Sequence, residues 1–264
     1  MKYYRLNYCS LIIVVLMTIS CQPSLDVNDN THVDYDYIGT LHNEGLDRIY
    51  DKISNSNTLE ENLLIVETES RAMFKDQISH SKESEKSFTD LVKVINANSN
   101  QSFTNLNEAL ILEMNSNISS EQEEVALDVL QLLSTPDLSK SAFNLEFKEI
   151  EQRIYKTIII DEQPALLAGL YLGRSSYFYW KENSLKWIGK LATPGSRISD
   201  NREKISDGEL IGGADVAGAI SGAGAVGLAA WAFGPIGWGF AAGFTVVSGL
   251  VSSGGAAIIV YSSK

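Results

Sequence analysis

The chain has 264 residues, 33 acidic and 21 basic side chains and a formal net charge of −12. That length holds one ordinary domain and an appendage, and an acidic surface repels phosphate backbones, which argues against nucleic acid as a partner. The two cysteines are Cys9 and Cys21, so the body of the chain holds neither a disulfide framework nor a cysteine-based metal site.

Lys2 and Arg5 precede the apolar run Leu11-Ile12-Ile13-Val14-Val15-Leu16-Met17. A bilayer span needs about 20 apolar residues, so this run suits a signal peptide instead. Thr18-Ile19-Ser20-Cys21 follows. The order of these parts resembles the signal and lipobox of bacterial lipoproteins. Thr18 stands where leucine is usual, a departure that Bacteroidetes-type lipoboxes tolerate. The resemblance implies that residues 1–20 are removed and that Cys21 carries diacylglycerol and a further acyl chain. Each buried CH2 contributes about 0.8 kcal/mol, so two or three chains hold firmly. Loss of Lys2 and Arg5 leaves 19 basic against 33 acidic side chains, a balance of −14. The alternative is an ordinary secretory signal with a coincidental cysteine.

Residues 21–38 read as a flexible tether, because Gln22 to Asn30 is polar and lacks apolar periodicity. No aspartate directly follows Cys21, which in lipoproteins of this type favours the outer membrane over the inner one.

Residues 39–192 predict an all-helical domain. Thr58 with Glu61, and Ser120 with Glu123, match the capping-box pattern. Apolar residues recur near helical spacing at Leu59, Leu63, Val66, Met73 and Phe74, at Phe88, Leu91, Val92 and Ile95, and at Leu106, Leu110 and Met114. Val125 to Leu133 is apolar on most sides and is expected at the centre of the core. Thr135-Pro136-Asp137 breaks the chain. Phe143, Phe147, Ile150, Ile154 and Ile158 step by 4, 3, 4 and 4, an amphipathic stripe, and Pro164 suits the first turn of the next helix. Strand patterns are few, so the fold class is all-α, a bundle of six or seven helices able to fold without the rest of the chain.

In that last helix Tyr171, Arg174, Tyr177, Tyr179, Trp180 and Trp187 cluster with Ser175 and Ser176. Aromatics beside polar groups make either a partner surface or core rings with satisfied hydroxyls, and both readings are open. Arg174 is three residues before Tyr177, a spacing that lays a guanidinium on a ring. His32, His42 and His80 have polar neighbours, lack metal-ligand spacing and are expected to be exposed. No catalytic motif appears, so the reading is non-enzymatic, with no cofactor and no metal site.

A polar linker, residues 193–212, leads to a tail at 213–261 of different composition. From Val216 to Ser263 there is no charged residue. Gly234-Pro235-Ile236-Gly237 divides two segments, about Ala214 to Phe233 and Gly239 to Tyr261, each near bilayer length. Small residues recur every fourth place, including Gly218 and Gly222 in the first segment and Gly249 and Ser253 in the second. That pattern lets helix backbones approach closely, so the tail predicts a Gly/Ala-rich hydrophobic helical hairpin packed at those residues, a site for self-association as well. The tail resembles glycine-zipper segments of envelope proteins and, in outline, Gly/Ala-rich bacteriocin peptides. Glu209-Leu210-Ile211-Gly212-Gly213 matches a double-glycine leader poorly, since its gap is short and it stands far from the chain's start. Membrane contact and burial on the helical domain both remain open for the hairpin.

The whole resembles Bacteroidetes-type envelope lipoproteins, a likeness that implies an address and no activity. The expected function is a lipid-anchored envelope protein with a helical binding or scaffolding domain and a membrane-interacting hairpin. The alternative is a bacteriocin-like exported protein whose hairpin enters target membranes.

Overall fold

The computed structural model describes residues 34–75, 82–98, 119–135, 138–160, 162–191 and 234–262. Among them are seven α-helices and no strand. They are α1 (Tyr35–Lys52), α2 (Leu59–Met73), α3 (Lys82–Asn98), α4 (Ser120–Ser134), α5 (Lys140–Thr157), α6 (Gln163–Leu191) and α7 (Gly234–Ser262). Cys21, most of the tether, the linker, the first tail segment with Gly218 and Gly222, the stripe at Leu106, Leu110 and Met114, His32 and His80 lie outside the described residues.

Capping chemistry starts the helices. Asp34 accepts a hydrogen bond from the Tyr37 N–H at the start of α1. The Thr58–Glu61 box opens α2 with both reciprocal bonds, at 3.1 and 2.7 Å. The box on α4 is Ser119 with Gln122, one residue before the expected Ser120–Glu123 pair. Both quartets fit the pattern. Ser119 and Gln122 also reach the α5–α6 turn, where Gln122 donates to the Glu162 carbonyl and Ser119 to its carboxylate. That second set of partners decides between the two registers. The stripe Phe143, Phe147, Ile150, Ile154 and Ile158 is buried in full. Ile158 itself is the extended C-cap of α5 (φ −93°, ψ 135°), so the stripe outlasts the helix by one residue.

Of the two placements open for the tail's second segment, the structure shows burial on the helical domain; the first segment lies outside the described residues. The second segment forms α7, which begins at Gly234 with Pro235 in the first turn, where a missing N–H costs nothing. Every side chain described in it, from Thr245 to Tyr261, is buried. It packs against α1, α2, α3 and α6. A helix apolar on all sides belongs in the interior, and here the surrounding amphipathic helices supply that interior. α7 therefore shares one core with the helices of residues 39–192. The run in α4 is not at its centre: α4 packs against α5 and α6, and Leu127 is exposed. Among the described residues no helix is long and apolar enough to cross a membrane.

Small residues set how closely the helices meet. A Cβ on Gly255 would stand 2.7 Å from Ile95 Cγ2, and one on Gly45 would stand 2.6 Å from Leu250 Cδ2. The small-residue pattern thus serves close contact with α1 and α3. Ser253, expected at a hairpin seam, meets His42 of α1, and Gly249 is buried in the same helix.

The tightest approach is between α1 and α6. A Cβ on Gly39 would lie 2.4 Å from Ser175 Cβ. Gly39→Ala should destabilise the protein by about 1–3 kcal/mol, although alanine is the better helix former. Gly189 lies in α6, and a Cβ there would meet nothing within 4 Å, so Gly189→Ala should instead stabilise by up to about 1 kcal/mol. Urea unfolding of both variants checks the pair, and equal shifts would mean that the α1–α6 contact is looser than described.

Candidate functional site

α1 and α6 lie side by side and run in the same direction, joined by a ladder of polar contacts. Arg174 bonds to Asp36, Asn43 Nδ2 donates to Ser175 Oγ at 3.1 Å, and the Tyr179 hydroxyl donates to Asp47 Oδ1 at 2.9 Å. At the far end Lys190 donates to the Tyr50 carbonyl and lies over the Tyr50 ring. The aromatic cluster of α6 is distributed along this ladder and does not converge on one pocket.

Tyr171 and Arg174 occupy one end. The Arg174 guanidinium is 4.7 Å from the Phe147 ring centroid and 4.9 Å from that of Tyr171. It therefore rests on these two rings and not on Tyr177. The Tyr171 hydroxyl donates to Glu151, and its ring lies 5.5 Å from that of Tyr35. Burial pushes both phenol pKa values well above the ordinary value, and the Glu151 carboxylate raises that of Tyr171 further.

Tyr177, Tyr179, Trp180 and Trp187 are buried. All four are core rings, but the hydroxyls are not all satisfied: that of Tyr177 is buried without a hydrogen-bond partner among the described residues. Tyr177 stacks on Phe143 at 4.5 Å, and Trp180 packs on Trp187 at 5.0 Å. Trp187 Nε1 donates to the Tyr179 hydroxyl at 3.2 Å, which in turn donates to Asp47. These rings offer no surface to a partner.

His42 is also buried, against the expectation of an exposed ring. Its Nε2 lies 3.3 Å from Ser253 Oγ and its Nδ1 3.1 Å from Asn43 Oδ1. This places a polar contact at the α1–α7 junction. Asp36, His42, Asn43 and Asp47 were missed as a set. The signal was present in the steps of 7 and 4 among 36, 43 and 47, which put them on one face of α1 beside the apolar stripe Ile38, Leu46 and Ile49.

Two grooves of similar volume lie on the surface of the described residues. One of about 480 Å3 lies between α4 and α5, with Asp128, Glu146, Glu149 and Arg153 around Leu132 and Ile150. The other, about 460 Å3, lies between α2 and α3 and is lined by Leu64, Ala72, Arg71 and Glu85 among others. Their arginines are already engaged: Arg153 with Asp128 and Glu124, Arg71 with Glu85 and Glu67. Among the described residues no group of three or more His, Cys, Asp or Glu is placed to hold a metal ion.

No family model, curated protein or solved structure matches the chain. A functional reading therefore rests on the residues alone.

The buried Tyr179 network has a pH signature. Burial, and to a lesser degree Asp47, hold the Tyr179 hydroxyl in its protonated form, with its pKa raised. Below about pH 10 the folded and unfolded chains both keep this proton; above it the unfolded chain ionises first, so stability falls as pH rises. Denaturant unfolding should show this fall above about pH 10. Tyr179→Phe should make the fall shallower, the remainder coming from Tyr35 and Tyr171, while costing about 1–3 kcal/mol near neutral pH because Asp47 and Trp187 lose a partner. An unchanged alkaline slope in the variant would place the titrating group elsewhere.

Proposed function

We propose that the protein is a non-enzymatic, lipid-anchored envelope protein whose helical bundle binds or scaffolds beside the membrane that holds Cys21. One observation carries this reading. A positive start, a short apolar run and Thr18-Ile19-Ser20-Cys21 occur in the order a lipoprotein signal requires, and a polar stretch then leads to the Asp34 cap of α1. The bundle supports a binding or scaffolding role over catalysis, since its interior is closed by α7 and the arginines of its grooves are paired within the protein. The resemblance to Bacteroidetes-type lipoproteins favours the outer membrane.

The second reading is an exported protein whose tail enters target membranes. It is favoured by the lack of any charged residue from Gly234 to Ser262. In that reading α7 must leave its contacts with α1, α2, α3 and α6, exchanging protein for lipid around the same apolar surface.

Intact mass of the membrane-extracted protein should show Cys21 as the acylated first residue. Cys21→Ser should move the protein to the soluble fraction. An unlipidated N-terminus beginning elsewhere would defeat the anchored reading. Retention of the Cys21→Ser form on membranes would favour the inserting tail.

A further inference from the structure

We propose that the turn between α5 and α6 is a second membrane contact, which places Ile159 and Ile160 in the surface of the bilayer that holds Cys21. The proposal rests on the lipid-anchored reading. It begins from two adjacent side chains, Ile159 at 63 % and Ile160 at 78 % exposed. Ile160 is the most exposed large apolar residue described, and Tyr155, one turn earlier on α5, is 53 % exposed. The remaining exposed large apolar residues, Tyr37, Leu64, Leu127, Leu145 and Leu185, are isolated in the sequence. Scattered single apolar residues are ordinary on a protein surface, whereas a contiguous group at a turn calls for a partner.

The turn is built to hold these side chains outward. The helix ends at Thr157, and Ile158 becomes extended and turns into the core. The Ile159 carbonyl accepts bonds from the Glu162 and Gln163 N–H groups at 2.9 and 3.2 Å, and the Gln163 side chain donates to the Ile158 carbonyl at 2.8 Å. Ser119 and Gln122 of α4 fasten Glu162 from the other side. The backbone is thus tied at three places, and β-branched isoleucine has few rotamers to lose on insertion.

The position of the turn identifies the occupant. The ring of Tyr35, the first residue of α1, lies 5.5 Å from that of Tyr171, whose hydroxyl donates to Glu151 of α5, and Tyr155 stands one turn beyond Glu151 toward Ile159. Asp36 is tied to Arg174, and the start of α4 is tied to the turn. The exposed isoleucines therefore lie at the end of the bundle where the chain from Cys21 joins α1. Only the twelve residues Gln22 to Val33 separate Cys21 from Asp34. Fully extended they reach about 45 Å, and as a coil roughly 20 Å. A membrane bound through Cys21 is consequently within reach of this end at high effective concentration, so two isoleucines suffice for a contact too weak to form from free solution. Tyrosine beside them suits the headgroup level, where a ring meets apolar and polar surroundings together. Asp34, Asp36, Glu121, Glu124, Glu151 and Glu162 outweigh Arg153, Lys156 and Arg174 at this end, which favours zwitterionic headgroups over anionic ones.

The test uses the full lipidated chain in vesicles of phosphatidylcholine and phosphatidylethanolamine. Cys9 leaves with the signal and Cys21 is acylated, so Ile160→Cys supplies a single thiol for a nitroxide label. Leu185→Cys, toward the far end of α6, is the control. At position 160 access to a water-soluble nickel chelate should fall several-fold in vesicles and access to oxygen should rise, with neither changing at 185. Adding Ile159→Asp should restore water access at 160. Equal access to the chelate at both positions, with lipid on Cys21 confirmed by intact mass, overturns the second contact alone. Absence of lipid on Cys21 overturns the anchored reading and this proposal with it.

Discussion

A helix that carries no charged side chain has no face suited to water, and α7 carries none along its 29 residues. Something must cover it on every side. Among the described residues the cover over Thr245 to Tyr261 comes from α1, α2, α3 and α6, whose apolar stripes face it. Val246, Val247, Leu250, Val251, Ile258, Ile259 and Tyr261 are all buried along α7. At about 1.5–3 kcal/mol for each large apolar side chain, their burial is worth on the order of 10 kcal/mol, comparable with the whole net stability of a domain.

Apolar burial does not choose a register, because it has no direction. Polar contacts supply that choice. Asp36 with Arg174, Asn43 with Ser175 and Asp47 with Tyr179 fix α1 along α6, and His42 with Ser253 fixes it along α7. Most of these groups are half-buried or buried, so sliding α1 by one turn would leave several of them without partners where water is scarce. Gly39 and Gly45 then let α1 approach α6 and α7 to the distances at which these bonds form. A bundle locked in this way keeps its centre for packing. That leaves the outer surface for contact with other molecules.

Much of the helical architecture was legible because amphipathic helices write their inner face in their own spacing. The α5 stripe and the Thr58 cap are local patterns, and local patterns survive folding. The role of α7 was not legible in the same way. Gly254, Gly255, Ser252 and Ser253 look alike whether the helix meets lipid, a twin segment or the stripes of its own domain, because small residues and absent charge describe any close apolar contact. The α4 cap shifted by one residue for a related reason: two overlapping S-x-x-E/Q quartets were equal locally, and only Glu162, about 40 positions away, distinguished them. His42 was misjudged because its sequence neighbours are polar, while its spatial neighbours belong to α7.

If α7 is the core of the bundle, the other helices should fail to fold without it. The most direct measurement is thermal and urea unfolding of the Cys21→Ser chain beside the same chain ending at Leu191. The full chain should unfold in one cooperative transition. The shortened chain should keep helical circular dichroism but lose the sharp transition and bind an apolar dye such as ANS, as expected when secondary structure outlasts packing. A cooperative transition in the shortened chain at the midpoint of the full chain would contradict the central place of α7 and return it to the status of a dispensable tail.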